Sequence, residues 1–434
     1  MRNETATGEC GIGNEMHSWI RALFPICRSL TGRGNRETLA YLDDLLEGDL
    51  RIHEVPTGYR AFDWTVPKEW KVQEAWIENE NGEKIVDFSV NNLHLLGYST
   101  PVDAVMDLEK LQEHLYSLPD QPDAIPYVTS YYKERWGFCV TDRFRRTLKP
   151  GNYRVHIDSE LFDGSLTYGE IILPGETEEE IFLSTYVCHP SMANNELSGP
   201  AVTTALVRWL RQEKRRYTYR FIYIPETIGS LVYLSKNLEM MKARTKAGFV
   251  LTCVGDDRSY SVLRSRLGNT IADKAALHVL KDGYPGHIEY SFLERGSDER
   301  QYGAPGIDLP VVSIMRTKYG EYPEYHTSLD NLDLVTPRGL EGAFDVYRKV
   351  ITALENNRSY TVQCLGEPQL GKRGLYPTIS QKNAYADVRS MTNVIAYCDG
   401  NHDLFDLSER IGISLDELYP IIRRLKDNEL IKES

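Results

Sequence analysis

His189, Glu226 and His326 each lie just past an apolar run, in sequence that favours a turn or loop. His189 follows the run from Ile181 to Cys188 and is itself followed by Pro190. Glu226 follows the run from Tyr217 to Ile224 and then Pro225, and His326 lies in the loop after the run from Leu309 to Met315. Neutral imidazole and carboxylate oxygen are ordinary zinc ligands, so these three side chains can supply a metal site. Asn194, Asn195 and Glu196 stand close behind His189, and Asp256 and Asp257 follow the run from Phe249 to Val254. Arg295, Arg300 and Arg316 can receive a carboxylate or phosphate by bidentate hydrogen bonds. Cys188 and Cys253 also sit at run ends, where a free thiol is either a ligand or nucleophile or simply a small buried hydrophobe.

The elements that must position these groups are strands of a buried sheet. Ile181–Phe182–Leu183 and Tyr186–Val187–Cys188 form an unbroken apolar run, the pattern of a central strand covered on both faces. Proline cannot donate to a sheet ladder, so this strand stops at His189–Pro190. The Asn-rich segment reads as a loop leading into a helix from about Ser198, with Ala201, Val202, Leu206, Val207 and Leu210 on its apolar stripe. Strands and helices alternate from Leu166 to Asn356, as in a sheet built from βαβ units, and ligands of such sheets bind at the carboxyl ends of the strands.

The order of His189, the ANNELSG loop, the strand ending at Glu226, GSDE at Gly296 to Glu299 and YHTSLDNLD at Tyr325 to Asp333 resembles the co-catalytic zinc aminopeptidase family. The match spans roughly Leu166 to Val335. More narrowly, the whole chain resembles bacterial aminopeptidase-like proteins with an inserted β-domain and a terminal winged helix, through phrases such as LFPICRSLTGRGNRETL, DWTVPKEW, LGYSTPVD, IPYVTSYYKERWGFC and DGSLTYGE. The resemblance implies an α/β fold, a zinc-aminopeptidase-like sheet flanked by helices. It also implies His189, Asn195, Glu226 and His326 as the metal positions. Asp298 is the carboxylate best placed for catalysis, because the family's Ser-Asp loop faces the site, with Glu196 the other candidate. Arg300 and Tyr325 lie in matched loops and are assigned to the substrate.

The departures limit the metal chemistry. Asn195 stands where the family has an aspartate bridging two ions, Pro225–Glu226 where it has a Glu-Glu pair, and Thr252–Cys253 where an aspartate follows the third strand. The expectation is at most one zinc ion per chain, on some of His189, Glu226 and His326 with Asn195 or water completing the shell. The function expected is metal-dependent hydrolysis of a small peptide-like or amino-acylated substrate. Two other readings stay open: a non-hydrolytic relative that binds ligand or transfers an acyl or amine group, and a scaffold or regulator.

The chain of 434 residues is long enough for two or three domains. Residues 62–153 read as an inserted β-domain, with a turn at Glu80 to Glu83 and dense aromatics from Tyr127 to Phe138 that either fill that domain or wall a cleft. Residues 14–61 and 154–365 then form a discontinuous aminopeptidase-like domain. Residues 376–434 read as three short helices and a wing, with the bend of a helix-turn-helix at Ile411 to Ser414.

In its third helix Arg423, Arg424 and Lys426 are countered by Asp416, Glu417 and Asp427, and the net charge is −13. DNA is therefore an unexpected partner, and a protein partner or a second copy of the chain is the more natural one. Seven cysteines without CxxC spacing make no disulfide framework. With a polar N-terminus and no membrane-spanning run, this places the chain in the cytoplasm, away from membranes.

Overall fold

The computed structural model of the protein describes residues 11–376 and 386–434. They fall into two compact units, one of residues up to Ala272 together with Gly286–Asp345, the other of Asp273–Pro285 with Val346–Ser434.

The first unit is organised by an eight-stranded mixed sheet. Its central strand, Glu180–Tyr186, is buried at every residue, its polar Glu180, Ser184 and Thr185 included. Thr218–Ile224 and Thr245–Val250 flank it in parallel, and Val311–Met315 pairs in parallel beyond Thr245–Val250. Ser165–Leu173 runs antiparallel to Thr218–Ile224, and Arg51–Pro56 extends that edge. The carboxyl ends of the parallel strands thus converge, which brings the segments after Tyr186, Ile224, Val250 and Met315 together.

A separate four-stranded antiparallel sheet comprises Lys84–Asp87, Glu69–Glu78, Asn152–Phe162 and Val102–Asp107, in that order. Between its strands the segment 126–138 forms bridges rather than a long strand: Gly97 with Thr129, Ser99 with Arg135, and Pro126 with Thr327.

The segment expected as a loop after His189 is instead a π-helical turn, Ala193–Leu197, continuing into the helix Ser198–Leu210. Asp330 explains it. Its carboxylate accepts from the backbone N–H groups of Ala193 (3.0 Å), Asn194 (2.6 Å) and Asn195 (2.9 Å), holding successive donors on one side. Gly199 is needed here, since a Cβ would come within 2.3 Å of the Leu251 carbonyl oxygen.

The second unit contains the helices Ala386–Tyr397, Leu404–Ile411 and Leu415–Asp427. Gly412 closes the middle helix in the left-handed conformation (φ +75°), and a Ser414–Glu417 capping box opens the next. The wing is a three-stranded sheet of Asp399–Asp403, Ser359–Val362 and Ile431–Glu433. The start of the sequence-predicted winged helix partly lies outside the described residues. No helix among the described residues is long and apolar enough to cross a membrane.

Candidate metal centre

The strand ends bring His189 close to Glu226 and to His326. Nε2 of His189 lies 3.7 Å from Oε2 of Glu226, and the His189 and His326 rings are 5.3 Å apart between centroids. Two ligands each about 2.0–2.2 Å from a tetrahedral zinc ion stand roughly 3.3–3.6 Å apart, so the His189–Glu226 spacing suits one shared ion. Cys188, His189 and Glu196 also cluster, with their ligand atoms within 4.8 Å of one another. There, however, Nδ1 of His189 and Oε2 of Glu196 share a hydrogen bond at 2.7 Å, on the side of the ring away from Glu226. That distance is a hydrogen bond, too short for two ligands of one ion.

Glu196 thus contacts the Nδ1 side of the ring while Nε2 faces Glu226, the kind of carboxylate–histidine contact that orients metal-binding histidines. Behind it lies Arg28, which the sequence pattern does not reveal as a site residue. Arg28 is fully buried; its Nε donates to the His189 carbonyl oxygen at 2.9 Å and stands 3.9 Å from Oε1 of Glu196.

Glu226 and Thr227 begin a tight turn. The Glu226 carbonyl accepts from Ile228 N–H at 2.8 Å across Thr227, whose φ of +64° and ψ of −76° are those of the rare, strained γ-turn. His326 is also in the left-handed region, at φ +55°. Its ring stacks on Tyr325 at 3.9 Å, and Tyr127 meets it edge-on at 5.3 Å. The Tyr127 N–H donates to the His326 carbonyl oxygen at 2.9 Å, and Ser328 N–H to the Ile125 carbonyl oxygen at 2.9 Å. The aromatic segment thus walls the site as well as packing the β-rich region.

Asp298 and Glu299 separate by environment. Glu299 accepts from Gly296 N–H, Ser297 N–H, the Tyr319 hydroxyl and the Ser313 hydroxyl, which makes it a loop anchor. Asp298 has Oδ1 held by Thr227 N–H (2.7 Å) and the Ser230 hydroxyl (3.0 Å), while Oδ2 is buried without a partner. Both side-chain atoms of buried Asn195 also lack a protein partner. Thr252 donates to the Asn195 carbonyl oxygen at 2.8 Å and Cys253 packs in the core, so neither replaces the missing aspartate.

Burial sets the protonation of the cluster. It pushes the Glu196 carboxyl up to about 8 and that of Asp330 to about 6. It also raises Glu226 and Asp298, each of which is further raised by a neighbouring carboxylate. His189, buried and beside the Arg28 charge, is held down at about 3, and His326, buried beside His189, at about 3. Two neutral imidazoles with the Glu226 carboxyl nearby are donors of the kind zinc takes, while Glu196 has the Arg28 charge beside it.

Comparison with known proteins bears on the fold. Residues 17–357 match the family described as "Domain of unknown function (DUF4910)", and residues 358–433 match a winged helix-turn-helix family. The chain belongs to the DUF4910 family. A Clostridium acetobutylicum protein carrying the name "Putative polysaccharide biosynthesis protein with aminopeptidase-like domain" is 44% identical over 424 residues, covering 97% of this chain and 96% of its own. A crystal structure of a "putative peptidase" from the same organism superposes with a TM-score of 0.90 at 43% identity, covering 97% of this chain and 96% of that one. A zinc aminopeptidase from Bacillus subtilis shares the fold, with a TM-score of 0.57 at 12% identity over 79% of this chain and 94% of its own. This DUF4910 chain therefore has an aminopeptidase-like fold with a C-terminal winged helix.

Proposed function

We propose that the protein hydrolyses an amide bond in a small peptide-like or amino-acylated substrate, using one zinc ion held by His189, Glu226 and His326. Asn195 supplies a neutral fourth donor. The observation that carries this reading is His189, whose Nδ1 is committed to Glu196 at 2.7 Å while Nε2 lies 3.7 Å from Glu226. When bound, the ion polarises the scissile carbonyl and lowers the pKa of water beside it. The chain does the rest. Glu196, bonded to Nδ1 of His189, orients the ring so that Nε2 faces Glu226. Oδ2 of Asp298, buried and unpartnered, takes the proton of the attacking water and returns it to the departing nitrogen. Burial raises the Asp298 carboxyl towards neutrality, the range in which one group serves as both base and acid. Tyr127 and Tyr325 close the histidine side against water.

The name of the Clostridium acetobutylicum relative favours an amino-acyl or N-acyl group on a saccharide as the form of substrate. The test is metal content of protein purified without chelator or affinity metal. One zinc ion per chain, absent in His326→Ala, is the expected result. Two ions per chain, or full occupancy in His326→Ala, would overturn the ligand assignment.

A further inference from the structure

We propose that Arg300 and the Tyr131–Tyr132 pair form a subsite for an anionic oxygen group of the substrate, a carboxylate or a phosphate, next to the scissile amide. The inference deepens the reading above and rests on it in one respect: the anionic group is placed next to the amide that the proposed site would cleave.

Arg300 lies on the helical turn Glu299–Tyr302, and Nη2 donates to the Thr227 hydroxyl at 2.5 Å. Thr227 directly follows Glu226, so the guanidinium is tethered beside the metal position by a neutral partner. Its Nε is buried and has no acceptor. No carboxylate among the described residues pairs with it, whereas the buried Arg220 is gripped by Glu170 and Glu180 at 2.7 Å each. The positive charge of Arg300 acts on Glu226, Tyr131, Tyr132 and Tyr325, which places these groups around it. A desolvated guanidinium with unused donors is costly unless an acceptor arrives. Its planar fork matches two oxygens of one anion.

The aromatic side of the subsite leads outward. Tyr131 and Tyr132 have ring centroids 4.1 Å apart, and Trp64 meets Tyr132 at 5.4 Å. Tyr132 is 67% exposed, so this platform is open to solvent while Arg300 stays partly covered. A ring carried by the substrate, sugar or aromatic, can lie on this surface with its anionic group on Arg300. The substrate class becomes an N-acylated or amino-acylated compound that also bears an acid group, rather than a long neutral peptide.

The experiment measures binding, not turnover, by calorimetry with the full chain. N-acetylglycine and N-acetylglycinamide differ only in the charged group, and inorganic phosphate tests the other oxyanion. The wild-type protein is expected to bind N-acetylglycine or phosphate at least about tenfold more tightly than N-acetylglycinamide. Arg300→Met should abolish that preference with the melting temperature kept. Arg300→Lys, which keeps the charge and loses the fork, should retain only part of it. Preference for phosphate over N-acetylglycine would support the subsite and assign it to a phosphate ester. His326→Ala, which disables the proposed metal set, should keep the preference. Loss of preference in that variant would move the anion from Arg300 to the ion and overturn the proposal. No preference in the wild type, or an unchanged preference in Arg300→Met, would also overturn it. A chain that binds no zinc but keeps the preference would remove the metal reading alone.

Discussion

Arg28 and Glu196 form a fully buried pair, with Nε 3.9 Å from Oε1, although 167 residues separate them in the sequence. Arg28 also holds the carbonyl oxygen of His189. One buried cation therefore restrains both the backbone of a proposed ligand and the carboxylate that orients its ring.

Arg28→Met should destabilise the protein by about 3–5 kcal/mol, because it leaves Glu196 buried beside no positive charge. Urea denaturation measures this. The double variant Arg28→Met/Glu196→Leu should recover much of the loss, since removing both charges also removes the unpaired one. A single variant as stable as the wild type would show that the pair is not coupled.

Glu196→Gln should lower zinc affinity roughly 10- to 100-fold with little change in the fold, because an amide accepts less strongly from Nδ1 of His189. Competition with a chromophoric chelator reads the affinity. Unchanged affinity would assign Glu196 a purely structural role.

Asn195→Asp tests why one ion is expected. Two dications a few ångströms apart repel, and a bridging carboxylate offsets that repulsion where an amide does not. The variant should show tighter zinc binding or a stoichiometry above one by elemental analysis. No change in either would place the Asn195 side chain away from the ion.

Asp298→Asn should reduce turnover of a cleavable acyl substrate by roughly 10²- to 10⁴-fold while zinc content stays at the wild-type level. Loss of zinc together with activity would make Asp298 a ligand and not a proton carrier.

Glu69 gives a pH test remote from the site. Burial alone would raise its carboxyl, but Arg36 and the Ser165 N–H hold it below its ordinary value of 4.5. A depressed folded-state pKa contributes stability that is present above the unfolded value and lost as pH falls through the folded one. Stability of the wild type should therefore drop progressively below about pH 4.5. Glu69→Gln should be less stable at pH 7 and flatter across the acid limb, which denaturation midpoints at several pH values would show.

Much of this centre could be read from the chain before its fold was known. The run ending at His189–Pro190, the strand before Glu226 and the loop carrying His326 place three side chains at neighbouring strand ends, because buried strands leave a local apolar signature. Arg28 left no such signature, since its partners at the site, His189 and Glu196, lie far away in sequence and an arginine in a loop ordinarily faces water. The π-turn at Ala193–Leu197 also depends on a distant residue, Asp330, and local preference alone reads that stretch as a loop. In the winged helix, Ser359–Val362 becomes a strand by pairing with Asp399–Asp403 on one side and Ile431–Glu433 on the other. The sequence DGNHD has little strand preference of its own.

The pairing of Ile125–Tyr127 with His326–Ser328 has a consequence for how such proteins can change. Because Tyr127 N–H holds the His326 carbonyl, the aromatic segment is part of the frame that sets one proposed ligand. Trimming that segment to resemble a simpler aminopeptidase would unfasten the histidine along with it. Descendants of this chain must inherit the Tyr127 clasp and the His326 loop as a single piece.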